Sequence, residues 1–143
     1  MTSIIKRKSI ITHHETELIN ISDEIRAEIE HASIESGIVI IMSLHTTTAL
    51  TVNESLPDIE SDIVNILHKL IPEDFNYRHA RFLHNDGQMA INASAHIRSS
   101  LIGFECFFPI EHGQFICGNR QNIYFVELDG PQERNYIIQI LGE

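Results

Sequence analysis

The chain is short of cysteine and of positive charge, and it has no tryptophan. Two cysteines, Cys106 and Cys117, occur in 143 residues. They form no Cys-x-x-Cys pair, which argues against a thiolate zinc site. Ten Lys and Arg stand against twenty Asp and Glu, for a net charge of -10 with histidine neutral. Nonspecific nucleic-acid binding rests on neutralising phosphates with Lys and Arg, so no nucleic-acid partner is expected. A small local anion site remains compatible with that charge. No apolar run reaches the length that spans a bilayer, and Lys6, Arg7 and Lys8 interrupt the early apolar residues. Neither a membrane partner nor a leader is therefore expected. A reducing cytoplasm with two free thiols follows as the expected setting. The alternative is a disulfide across a hairpin turn at Glu111-His112-Gly113, which the two cysteines flank.

What is present fits one ordinary domain over residues 1–143, with 43% hydrophobic and 21% charged residues. A chain of this size buries about 70% of its unfolded surface and needs no disulfide or metal staple to fold. Residues 3–11 read as a strand, and Leu18, Ile19 and Ile21 as a short second one. Ser22 is placed as a helix N-cap, Asp23 and Glu24 suit the first turn, and Gly37 sits where a closing glycine would. Residues 38–44 are apolar on both faces and read as a central buried strand, and residues 46–53 continue extended. Pro57 opens a second helix with Asp58 and Glu60 in its first turn, and Pro72 stops it. Residues 73–91 read as a long irregular loop. Residues 94–102 form a short helix closed by Gly103, and strands follow at 104–110, 114–117, 122–128 and 136–141. The order predicts an α+β domain: a largely antiparallel β-sheet or sandwich with two longer helices and one short helix.

The most informative segment is Leu44-His45-Thr46-Thr47-Thr48-Ala49-Leu50-Thr51-Val52-Asn53-Glu54. An apolar run delivers an imidazole and consecutive hydroxyls, groups that are costly to bury without partners. At a strand mouth they would hold a metal ion, a phosphate or a polar substrate; alternatively the threonines simply favour β structure. Nine histidines is a high count for this length. His45, His79 and His96 each fall where an element meets a loop, and three neutral imidazoles with an open fourth position suit zinc. Their separation supplies no local spacing motif. Glu54 is a candidate general base, with Asn53 behind it; the alternative is a turn before Pro57. Asn92 either caps the short helix or approaches the site. Thr46, Thr47 and Arg134 are candidate phosphate binders, as is Arg98, although arginines are often merely solvated. His84 and the Asp129-Gly130-Pro131 run read as turns.

Taken together, these residues resemble the YjbQ family. The resemblance is carried by His45-Thr46-Thr47-x-Ala49-Leu50-Thr51-x-Asn53-Glu54, Pro57-Asp58, Tyr77-x-His79 and His96-Ile97-x-x-Ser100-Leu101-x-Gly103. It continues through Pro109-Ile110, Gly113, Gly118-x-x-Gln121-x-Ile123 and Glu127-x-Asp129-Gly130-Pro131-x-x-Arg134. It implies a small α+β subunit of a homotrimer, with a site built on His45, His79 and His96 that holds a divalent metal, zinc by preference, or an anion. It also implies a secondary thiamine-phosphate synthase activity, a transferase reaction joining a hydroxymethylpyrimidine diphosphate to a thiazole phosphate. The competing expectation is a homotrimer that binds a metal or a phosphorylated small molecule without turnover. One departure stands out: Gly118-Asn119-Arg120-Gln121 replaces the family's Gly-Thr-Trp-Gln, trading an aromatic ring for a cation. The stretch 82–89 departs as well.

Overall fold

A computed structural model of the chain describes residues 1–79 and 92–143. His84, and residues 80–91 of the expected loop, lie outside the described residues. The elements run β1 (Thr2–Ile11), β2 (Glu17–Asn20), α1 (Ser22–Ala32), β3 (Ser36–Ser43), β4 (Thr48–Asn53), α2 (Pro57–Leu70), α3 (Ala93–Ile102), β5 (Glu105–Glu111), β6 (Gln114–Phe115), β7 (Asn122–Glu127) and β8 (Glu133–Gly142). Two sheets result, ordered β1-β8-β3-β5-β6 and β2-β7-β4. All their pairings are antiparallel. The α+β architecture is thus the one expected.

Strand alternation explains where the apolar residues go. Ile123 and Phe125 of β7 join a large core with Leu50 of β4, Val39 and Ile41 of β3, Ile138 and Ile140 of β8, and Ile25 and Ile29 of α1. Tyr124 and Val126 point the other way, into a smaller cluster with Ala49 and with Ala95 of α3. Strand β7 is therefore buried on both faces, which is why its sequence is continuously apolar. Strand β3 differs from its expected state. It is central, but its pattern alternates between buried and half-buried residues, so Ile38, Ile40 and Met42 face outward. Beside them Phe107 of β5 is 64% exposed and Ile5 of β1 is 54% exposed. One face of the larger sheet is apolar and open.

Two local expectations are corrected. Ser22 does not cap α1: it is the first helical residue, and its hydroxyl accepts the Ile123 amide at 2.8 Å. Gly37 does not close α1; Ser33 does, in the left-handed conformation. Gly37 lies in β3, where an added Cβ would stand 1.9 Å from the Leu141 carbonyl oxygen of β8. Its glycine answers a strand–strand approach, not a cap. The boundaries of α2 and α3 match their proline and glycine signals, and both cysteines are free. Burial pushes the Cys106 thiol up to about 12. Among the described residues, no helix is long and apolar enough to cross a membrane.

Candidate functional site

The ends of β3, β7 and α3 meet at one corner of the molecule, and the start of β8 returns to it. His96, on the first turns of α3, is half-buried. Its ring meets that of His79 edge to face, with centroids 5.1 Å apart. His96 also hydrogen-bonds the backbone of Thr46, in the turn that follows β3. Two of the three expected histidines are therefore in direct contact, and the third segment is tied to them through its backbone. Burial lowers the pKa of His96, and the neighbouring His79 adds to that; Asp129 and the Thr46 contact pull the other way.

Asp129 was read from the sequence as a turn residue only. It lies at this corner, where the Asn92 side-chain amide donates to its carboxylate at 2.8 Å. Asn92 therefore approaches the site and does not cap α3 through its side chain. Its carbonyl oxygen, Oδ1, is buried and has no hydrogen-bond partner among the described residues. Among the described residues no side chain caps α3, and its first turn carries no acidic residue. Its N-terminal amides, with the positive end of the helix dipole, favour an anion.

His45 is held differently. Its Nε2 accepts the Asn135 backbone amide at 2.9 Å. Burial lowers its pKa, with the Arg134 charge adding to the effect and Glu127 opposing it. A neutral imidazole has one acceptor nitrogen. With that nitrogen engaged, Nδ1 carries the proton and the ring offers no lone pair to a metal. A three-histidine zinc set including His45 does not fit this arrangement. Among the described residues, no group of three or more His, Cys, Asp or Glu is placed to hold a metal ion. His45 and Thr46 do border a cavity of about 420 Å³, together with Ser99, Ser100, Gly103 and Phe104.

Beneath the corner lies a buried polar network. Glu127 is 0% exposed and accepts Arg134 through both nitrogens of a fork, Nε at 2.8 Å and Nη2 at 2.6 Å. It also accepts the Thr12 hydroxyl at 2.8 Å and the amides of Leu128 and Asp129 at 3.0 and 2.9 Å. Burial alone would raise the Glu127 pKa, but Arg134 and the other donors outweigh it and the pKa is lowered. Arg134 Nη2 also donates to Thr47 at 2.9 Å. Arg134 and Thr47, expected to bind phosphate, are engaged inside this network instead: Arg134 is bound to Glu127, and the Thr47 hydroxyl accepts from Arg134. Gly130 completes the packing, since an added Cβ there would lie 2.3 Å from the His14 carbonyl oxygen. Of the four expected phosphate binders, only Thr46 is exposed.

Glu54 and Asn53 are not beside His45. Strand β4 separates them, spanning roughly 17 Å at about 3.3 Å per residue. Glu54 instead pairs with Arg120 at 2.9 Å, and its amide donates to Asn53 Oδ1 at 2.7 Å. The turn reading holds at that position, and a general base acting with these histidines within one chain is ruled out by the span. The pair also gives Arg120 a local partner. Arg98, another possible phosphate donor, is 1% exposed and donates from Nε and Nη2 to the Ile71 carbonyl at 3.1 and 2.6 Å.

The family profile described as UPF0047 protein YjbQ-like matches residues 6–143. The chain belongs to the YjbQ family. It is 36% identical to a UPF0047 protein of Methanocaldococcus jannaschii over 135 residues, covering 94% of this chain and 91% of that one. It is 33% identical to the UPF0047 protein YugU of Bacillus subtilis over 140 residues, covering 97% and 100%. A crystal structure described as a YbjQ-like protein of unknown function from Sulfolobus solfataricus superposes with a TM-score of 0.92 at 30% identity, covering 99% of each chain. The match to a YjbQ-like structure fits the α+β reading; the function of that neighbour is described as unknown.

Proposed function

We propose that this YjbQ-family chain binds a phosphorylated small molecule at the corner built from His79, His96, Asp129 and the N-terminus of α3. The observation that carries the reading is the His79–His96 ring contact beside an uncapped helix start. Thr46 supplies an exposed hydroxyl at the rim. The divalent metal that the resemblance implies does not enter this reading, because His45 spends its acceptor nitrogen on Asn135.

The reaction to test first is the one the resemblance implies, the joining of a hydroxymethylpyrimidine diphosphate to a thiazole phosphate. The thiazole nitrogen bonds to the pyrimidine methylene as its C–O bond breaks and pyrophosphate leaves. In this proposal the charge of the departing pyrophosphate draws a second proton onto His96, and the ring nitrogen not engaged by Thr46 donates to it. The active species in this proposal is the homotrimer that the resemblance implies, and the outward apolar face of the larger sheet, with Ile40, Met42 and Phe107, offers it a surface to cover. Purified protein would be given both substrates and assayed for pyrophosphate release beside His96→Ala. Release lost in the variant supports the transferase reading. Binding of the diphosphate without release supports the non-catalytic binding protein, and absence of both contradicts the proposal.

A further inference from the structure

We infer that Arg98 is the positioning residue of the histidine corner, an inference that rests on the functional reading above. His79 and His96 sit on separate segments of the corner, and among the described residues a buried guanidinium joins the roots of both. Arg98 lies on α3, the helix that carries His96. Its side chain turns inward and forks onto the Ile71 carbonyl through Nε and Nη2. Ile71 is the residue that closes α2. The chain leaving that point runs through Pro72 and Tyr77 to His79. Arg98 therefore clamps the root of the segment whose tip is His79 onto the helix that bears His96.

The segment is braced along its length. Arg98 Nη1 lies 3.5 Å from Glu73 Oε1, and His68 Nδ1 lies 3.6 Å from the same oxygen. The Tyr77 hydroxyl donates to the Pro72 carbonyl at 2.6 Å, and its ring packs on Phe75 with centroids 5.1 Å apart. A plain stabilising role is the competing explanation, because a cation at a helix C-terminus complements the dipole and the free carbonyls there. Two features go beyond it. The guanidinium comes from another helix, and it is a planar fork whose two donors converge on one carbonyl, which fixes a direction that the single ammonium of lysine cannot.

The test reads the histidine contact directly. In wild-type protein, nuclear Overhauser contacts between the His79 and His96 ring protons are expected. Arg98→Lys keeps the charge but loses the fork. It should retain the fold by circular dichroism, lose those contacts and bind pyrophosphate several-fold more weakly. Tyr77→Phe, which loosens the same segment without touching the buried cation, should weaken both readouts in the same direction and carries the test if Arg98 variants do not fold. A folded Arg98→Lys protein with ring contacts and pyrophosphate affinity unchanged overturns the inference. So does weakened affinity with the ring contacts intact. Loss of the ring contacts in a protein whose wild type binds no pyrophosphate leaves Arg98 as the clamp and removes the functional reading instead.

Discussion

Two carboxylate–arginine pairs mark the opposite ends of β4, and they differ in almost every physical respect. At the end near the histidines, Glu127 and Arg134 are 0% and 4% exposed and meet in a bidentate fork, with further donors filling the carboxylate. At the other end, Arg120 is 82% exposed and meets Glu54 through one nitrogen. The same chemistry gives a structural pivot in one place and a solvated pair in the other. A buried pair loses heavily when one partner is removed, because the survivor is left charged and without compensation. An exposed pair is screened and contributes little. The candidate site sits over the first pair, so its floor is a buried and fully paired network, whereas the opposite end of the strand carries a solvated pair.

Breaking the comparison at its strong end should give the largest effect. Arg134→Met is expected to destabilise the fold by about 3–5 kcal/mol, the usual cost of orphaning a buried charge. Urea denaturation beside wild type would measure it, and a shift below about 1 kcal/mol would mean that Glu127 finds other compensation. A middle-sized effect should come from acid. His45 and His96 have lowered folded pKa values, so the native state favours their neutral forms. Their contribution is present above the ordinary histidine pKa and is lost as pH falls through the folded values. Glu127, also lowered, adds a loss that begins as pH drops into the usual carboxylate range and continues down through the folded value. Stability followed from pH 8 downward should therefore fall in two stages, and replacing both His45 and His96 with Gln should remove the first. The smallest effect belongs to the exposed pair. Glu54→Ala should cost about 0.2–1 kcal/mol and less at high salt, and a loss comparable to that of Arg134→Met would erase the distinction.

The contrast also explains what could be read from the sequence. Helix α2 was legible because its signals are local: Pro57 at the start, acids in the first turn, Pro72 at the stop. The apolar run of β3 was legible as a strand, but not the fact that only one of its faces is buried within the chain. Gly37 was misread because the demand for glycine comes from Leu141, far along the chain. His79 and His96 were legible as site residues through motif resemblance, whereas their contact is tertiary and no spacing foretells it. Glu54 was placed with His45 through nearness in sequence, and the rise of an extended strand separates them. Glu127 had a usable signal that was passed over: it is a lone acid directly after the apolar run of β7, two residues before Asp129, and only a paired acid survives burial there. Its partner Arg134 was noticed for the wrong chemistry, because an arginine reserved for a buried carboxylate looks like one reserved for a phosphate.

The central claim is that the working corner is the one built on His79 and His96, not the Asn53–Glu54 end. The most direct measurement is calorimetric titration of pyrophosphate into wild type, His79→Ala, His96→Ala and Glu54→Ala, each first shown to be folded. The account predicts binding to wild type and to Glu54→Ala, and its loss in both histidine variants. Binding that survives the histidine substitutions and disappears in Glu54→Ala would contradict it.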